Sequence, residues 1–176
     1  MWGIGPRLGG VFLGGPLSVI AGGEGTLDLD RNTRLGATAA LAMGKQHFGV
    51  EVLARAEHVW PMGRWGLTAG GGLGLGEHWY REDAHGRRRV VTLPLRLDVG
   101  VSARRGPRQW QMRLYTQYDP VMRQAVNGLT STRQIPGPKV LLAAGIEMSV
   151  LFGDFTPPRK PKGMEDGPLP VDDPRP

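Results

Sequence analysis

Between Val90 and Ala103 the chain reads Val-Val-Thr-Leu-Pro-Leu-Arg-Leu-Asp-Val-Gly-Val-Ser-Ala, and every second residue from Val91 onward is apolar. Val91, Leu93, Leu95, Leu97, Val99, Val101 and Ala103 form one set. Thr92, Pro94, Arg96, Asp98, Gly100 and Ser102 form the other. Side chains two apart share a face of a β-strand, so this run makes one oily face and one polar face. A helix of 3.6-residue period would spread both sets around its circumference. The run is also longer than the ~5–6 residues of an ordinary strand. Any fold available to this chain must therefore hold a long strand with Arg96 and Asp98 on one side and Leu95 and Leu97 on the other.

The same alternation recurs along the chain. It predicts strands over Gly3–Leu13, Ser18–Leu29, Arg34–Met43, His47–Trp60, Trp65–Tyr80, Val90–Ala103, Gln109–Asp119 and Lys139–Phe152. Gly14-Gly15-Pro16, Asp30–Thr33, Gly44–Gln46, Pro61–Arg64 and Arg104–Arg108 carry turn chemistry. Arg81–Arg89 reads as a charged loop and Pro120–Pro138 as a long one. Many strands at short spacing mean a sandwich or a barrel. The even count predicts an all-β fold, a closed eight-stranded antiparallel up-and-down (meander) barrel over residues 1–155. Residues 156–176, rich in proline and charge and without alternation, are expected to be a disordered tail.

With both termini at one end, short turns gather at that end and the two longest connections at the other. Bacterial outer-membrane barrels show this asymmetry. The 28 glycines among 176 residues argue against a helical protein. No run reaches the ~18 apolar residues of a transmembrane helix, but alternating strands cross a bilayer in ~9–11 residues without one. Cysteine is absent, which removes disulfides and thiolate chemistry. The start, Met-Trp-Gly-Ile-Gly-Pro-Arg-Leu, has no apolar signal-peptide core.

Three features set the oily face outward. The polar face of the Trp65–Tyr80 run is Gly66, Thr68, Gly70, Gly72, Gly74 and Gly76. Glycine costs stability on a solvated strand surface, but it makes room for large neighbours inside a narrow barrel. The polar faces carry both signs of charge at mid-strand: Arg7, Glu24, Glu51, Arg55, Glu57, Arg96, Asp98, Arg113 and Glu147. Buried charge requires opposite charge, so Arg7, Glu51, Arg55, Arg96, Asp98, Arg113 and Glu147 are expected to form an interior ion-pair network. Counting heights along neighbouring strands pairs Glu147 with Arg113 or Arg7. Finally, aromatic residues stand at the strand ends, Trp60, Trp65, Trp110 and Phe152 at the short-turn end and Trp79, Tyr80 and Tyr118 at the other. Two girdles at the membrane–water interfaces are the expected pattern. The alternative is a soluble lipocalin-like barrel with its oily face inward around a small apolar ligand.

The last strand contains Ala143-Ala144-Gly145-Ile146-Glu147-Met148-Ser149-Val150-Leu151-Phe152. This resembles the C-terminal β-signal of outer-membrane barrels, a glycine followed by alternating hydrophobics and an aromatic. In that family a polar residue usually stands where Ala143 is, and the aromatic usually closes the chain. Leu93-Pro94-Leu95-Arg96-Leu97 resembles a strand of small outer-membrane proteins, and the pattern over Gly3–Phe152 resembles OmpA- and OmpX-type barrels. The resemblance implies a bacterial outer-membrane location, membrane lipid and lipopolysaccharide as partners, and contact with the barrel-assembly machinery through the last strand. It implies no activity.

Catalytic and metal chemistry find little support. Gly70–Gly76 lacks the Gly-Lys-Ser/Thr ending of a phosphate loop. His47, His58, His78 and His85 lack metal-ligand spacing. Asp83 and His85 are the residues a loop-borne active site would use, and nothing else accompanies them. No cofactor, metal or catalytic residue is expected, and a monomer is. Lys+Arg exceed Asp+Glu by 22 to 16, giving net +6. No recognition helix or aromatic stacking surface accompanies that charge, so nucleic acid is not an expected partner. Arg87, Arg88 and Arg89 form the clearest binding feature, a basic rim whose guanidinium forks suit lipid phosphates.

Overall fold

A computed structural model describes residues 1–13, 17–82, 86–126, 129–130 and 139–155. The strands are β1 (Trp2–Leu13), β2 (Leu17–Asp28), β3 (Thr33–Met43), β4 (His47–Met62), β5 (Trp65–Glu82), β6 (Gly86–Thr92), β7 (Leu95–Arg105), β8 (Arg108–Val126), β9 (Leu129–Thr130) and β10 (Val140–Asp154). All pairings are antiparallel. Each strand from β1 to β5 pairs with the next, β6 and β7 share the place between β5 and β8, and β10 pairs with both β8 and β1. Hydrogen bonds therefore run in a ring through eight strand positions, and β9 is a short addition to β8.

Alternation decides the faces. Leu8, Val19, Leu41, Val52, Leu73, Leu97, Leu114 and Ile146 point outward and are exposed. Arg7, Glu24, Arg55, Arg96, Arg113 and Glu147 point inward and are buried. A shift of one residue in any strand would carry its oily set inside and its charges out. Short turns close the terminal end. At one of them the Asp30 carboxylate accepts hydrogen bonds from the backbone N–H of Asn32 and Thr33, each 2.7 Å long. These bonds, the one from Asn32 foremost, hold the Asp30 carboxyl below its ordinary range.

The structure corrects three sequence expectations. Val90–Ala103 is not one strand but two, broken at Leu93 and Pro94. Proline has no N–H to give the ladder, although its carbonyl still accepts from Gly74 N at 3.1 Å. Arg81–Arg89 is not simply a loop. Arg81 and Glu82 continue β5, and Gly86–Arg89 begin β6, paired with Trp79–Glu82. The connection expected over Pro120–Pro138 is likewise shorter, because β8 continues through Val126 against β6. At the end away from the termini β5, β6 and β8 thus run on as a sheet beyond the level of the other turns. Gly14-Gly15-Pro16, residues 83–85 with Asp83 and His85, and the 156–176 tail lie outside the described residues.

Candidate functional site

Two features stand out from the residues upward: the interior of the ring and the basic rim at its longer-loop end. Around mid-height the interior holds Arg7 (β1), Glu24 (β2), Arg34 (β3), Arg55 and Glu57 (β4), Arg96 and Asp98 (β7), Arg113 (β8) and Glu147 (β10), all buried. Glu147 stands at the centre. Its carboxylate lies 2.6 Å from Arg7 Nη2, in direct contact with Arg96, and 3.5 and 3.6 Å from Arg113 Nη1 and Arg55 Nη1. Arg113 donates from both terminal nitrogens to Glu24, at 2.7 and 2.8 Å, and approaches Glu57 at 2.8 Å. Arg55 bridges Glu57 at 2.9 Å and Asp98 at 2.7 Å. Arg34 and Asp28 extend the network toward the turn end at 2.6 Å, where Arg104 joins Asp28 at 2.8 Å.

The network interleaves the two signs. Arg7, Arg34, Arg55, Arg96 and Arg113, with the partly exposed Arg104 at its edge, face Asp28, Glu24, Glu57, Asp98 and Glu147, six cations and five anions. Desolvated charges survive only when each finds an opposite partner at close range. Arg96 also lies over the Tyr115 ring, 3.4 Å from its centroid, a cation–π contact in a desolvated setting. Glycines on β5 make the room. A Cβ at Gly72 would stand 3.0 Å from Arg55 Cγ, and one at Gly70 would stand 2.9 Å from Glu57 Cγ. Replacing Gly72 with valine is therefore expected to overpack the interior and destabilise by about 1–3 kcal/mol. Urea unfolding of the refolded protein checks this, and an unchanged midpoint would refute the packing role.

Above the network the interior changes character. Val11, Ile20, Ala40, Tyr115, Leu141 and Ala143 form an apolar cluster. His47, His78 and Tyr80 stack beside it, with His47 Nε2 3.0 Å from His78 Nδ1 and the Ser18 hydroxyl 3.3 Å from His47 Nδ1. A cavity of about 30 Å³ lies between the cluster and these histidines, which is room for about one water. Among the described residues no group of three or more His, Asp or Glu could hold a metal ion.

The residues singled out in the sequence distribute as follows. Arg7, Arg55, Arg96, Asp98, Arg113 and Glu147 meet in the interior network, while Glu51 accepts from Gln117 Nε2. Trp60, Trp65, Trp110 and Phe152 are exposed on the outer face near the turns, and Tyr118 on the outer face toward the loops. Trp79 packs beside Phe48, its ring centroid 5.4 Å away. Tyr80 departs from the girdle expectation. Next to Trp79 in sequence, it has the opposite parity, and its ring stacks inside on His47 at 4.8 Å. The three-arginine rim also divides. Arg88 pairs with Tyr80 and shares its inward parity, whereas Arg89 pairs with Trp79 and faces outward. Arg87 lies opposite Arg81 in the backbone register.

The alternation also held residues that sequence reasoning passed over. Arg34 and Asp28 are in antiphase to Leu35 and Leu27, which was the signal that they face inward. Trp2, 55% exposed on the outer face, belongs with the turn-end aromatics. Arg123 is a different case: strict alternation from Arg113 through Asp119 would put it inside. The β6–β8 register shifts between Val91 and Thr92, and Arg123 emerges opposite Val91 on the outer face. A bulge re-aims side chains in this way.

No protein-family model matches the chain, and no curated protein does. Solved structures do. The chain is similar to Neisserial surface protein A, with a TM-score of 0.66 and 10% identity over 87% of this chain and 97% of that one. It is also similar to the N-terminal β-barrel domain of Pseudomonas aeruginosa OprF, with a TM-score of 0.52 and 14% identity over 85% and 97%. At such identities the likeness is one of fold, and the fold is that of the small outer-membrane β-barrels.

Proposed function

We propose that the chain is a closed eight-stranded barrel of a bacterial outer membrane, with a structural or surface-binding role and an interior plugged by its own side chains. The observation that carries this is the inversion of the two faces. The outer face bears Leu8, Leu73, Leu75, Leu97 and Leu142, each at least 60% exposed, while five arginines and their acids fill the inside. A soluble barrel with that outer face would present a continuous apolar surface to water, far beyond the few hundred Å² monomers tolerate. In lipid the same surface is solvated and the ring satisfies its own backbone groups. Outward aromatics near both ends, with Trp60, Trp65 and Trp110 at one and Tyr118 at the other, support the same placement.

The interior supports binding or structure rather than catalysis or transport. Its charges neutralise one another instead of lining a path, and eight strands leave a bore just wide enough for side chains. The partners that follow are membrane lipid, lipopolysaccharide at the phosphate-facing rim, and the assembly machinery engaging β10. Reconstituted into planar bilayers, the protein is expected to insert and to show no large, stable single-channel conductance. Steady conductance at the level of a porin would contradict the plugged interior. Failure to enter lipid at all, with full solubility in detergent-free buffer, would contradict the membrane role itself.

A further inference from the structure

At the loop-end rim the bulge that turns Arg123 outward has a second consequence. It sets Arg123 on β8 diagonally from Arg89 on β6, since Arg89 pairs with Ala125 and Val91 with Arg123. Between them is a groove of about 100 Å³ lined by Arg89, Val91, Arg123, Gln124 and Ala125. Like charges placed as cross-strand neighbours are destabilising unless an anion lies between or beside them. Arg89 has one, since it is in contact with the carboxylate of Glu77. Among the described residues no carboxylate is paired with Arg123, which stands exposed on the outer face. Among the described residues, then, the groove carries one guanidinium paired with a carboxylate and one that is not.

Its position narrows which anion would suit Arg123. Arg89 stands next to Trp79 in register. Met122, the residue displaced by the bulge, is 60% exposed beside Arg123. An apolar and aromatic band that continues into a basic groove matches an amphiphile whose acyl chains lie against the band and whose phosphate meets the arginines. Guanidinium forks suit phosphate oxygens in two-point contact, and Arg does this better than Lys. The geometry points to the Arg89–Arg123 groove as a seat for the phosphate of a phosphorylated glycolipid of the outer leaflet. This rests on the membrane reading above and goes further, by naming the groove, adding Arg123 and leaving out the inward-facing Arg88.

The test uses the full chain in phosphatidylcholine nanodiscs, titrated with diphosphoryl lipid A, with bound lipid read by native mass spectrometry. One saturable lipid A is expected on the wild type. Arg89→Gln and Arg123→Gln are each expected to weaken it at least tenfold, Arg123→Lys to weaken it less, and Glu77→Gln to tighten it by freeing Arg89. Arg31→Gln and Arg64→Gln, at the opposite end, are expected to leave it unchanged. Heat-modifiable gel mobility shows that each variant is folded. Insertion without lipid A preference, or with a preference that survives both glutamine variants, overturns the assignment and leaves the membrane reading intact. Displacement of lipid A by millimolar inorganic phosphate alone would make the site one for a free anion and overturn the lipid assignment. Failure to enter nanodiscs would overturn the membrane reading and this inference together.

Discussion

Replacing Glu147 with alanine is expected to destabilise the folded protein by about 3–5 kcal/mol, the cost of breaking a buried ion pair by removing one partner. Arg7, Arg96, Arg113 and Arg55 all approach this carboxylate, and Glu147 itself is 1% exposed. Arg113 and Arg55 retain Glu24, Glu57 and Asp98. Arg7 and Arg96 are ion-paired here through Glu147, so they bear most of the loss. The variant Glu147→Gln keeps the volume and removes only the charge, and it is expected to lose nearly as much. Adding Arg96→Met to Glu147→Leu should recover part of the stability, because apolar replacement of a buried pair is often neutral. Urea unfolding in lipid vesicles reads all three. A wild-type midpoint for Glu147→Ala would remove the network as the source of interior stability.

Replacing Val99 with arginine is expected to block assembly in lipid. Val99 lies mid-strand on the outer face, opposite Ala69 on one side and Leu114 on the other, midway in register between Tyr118 and Trp110. An arginine on the lipid face of a barrel costs about 2–4 kcal/mol at the bilayer midplane and little at the interfaces. The same substitution at Trp65, close to the Gly63 turn, should therefore be tolerated far better. The contrast separates a depth effect from general damage to the strand. Dilution of urea-unfolded protein into vesicles, followed by gel mobility without heating, gives the folded fraction. Equal folding of the Val99 and Trp65 variants would mean that no hydrocarbon surrounds the ring.

The parity of each strand was legible because the side-chain period is two and the two sets differ so sharply. Leu95 against Arg96 and Ile146 against Glu147 admit one assignment of faces. The ring pairing of β10 with β1 and β8 followed from an even count of strands. The ends of strands were harder to read, because alternation fades where polar residues occupy both faces. Arg81, Glu82 and Arg87–Arg89 look like a loop by composition, yet backbone pairing with a neighbour holds them in a hairpin. Pro94 hid a break inside the most regular run of the chain, because its own place on the polar face fitted the alternation. Arg123 could not be placed at all without the bulge at Val91 and Thr92, which no single-strand pattern encodes. Tyr80 shows the limit of composition: an aromatic at a strand end looks like a girdle residue until its parity is counted against Trp79.

The orientation of the two faces can be measured directly, because the chain has no cysteine and each position can be labelled alone. Single cysteines at Leu95, Leu97, Val99, Gly100 and Ser102 of β7 would carry nitroxide labels in refolded, vesicle-bound protein, with accessibility to oxygen and to a water-soluble nickel chelate read by power saturation. High oxygen and low nickel accessibility is expected at Leu95, Leu97 and Val99, with low oxygen accessibility at Gly100 and Ser102. The reverse alternation, or nickel accessibility equal at all five positions, would contradict a lipid-facing oily surface around a charged interior.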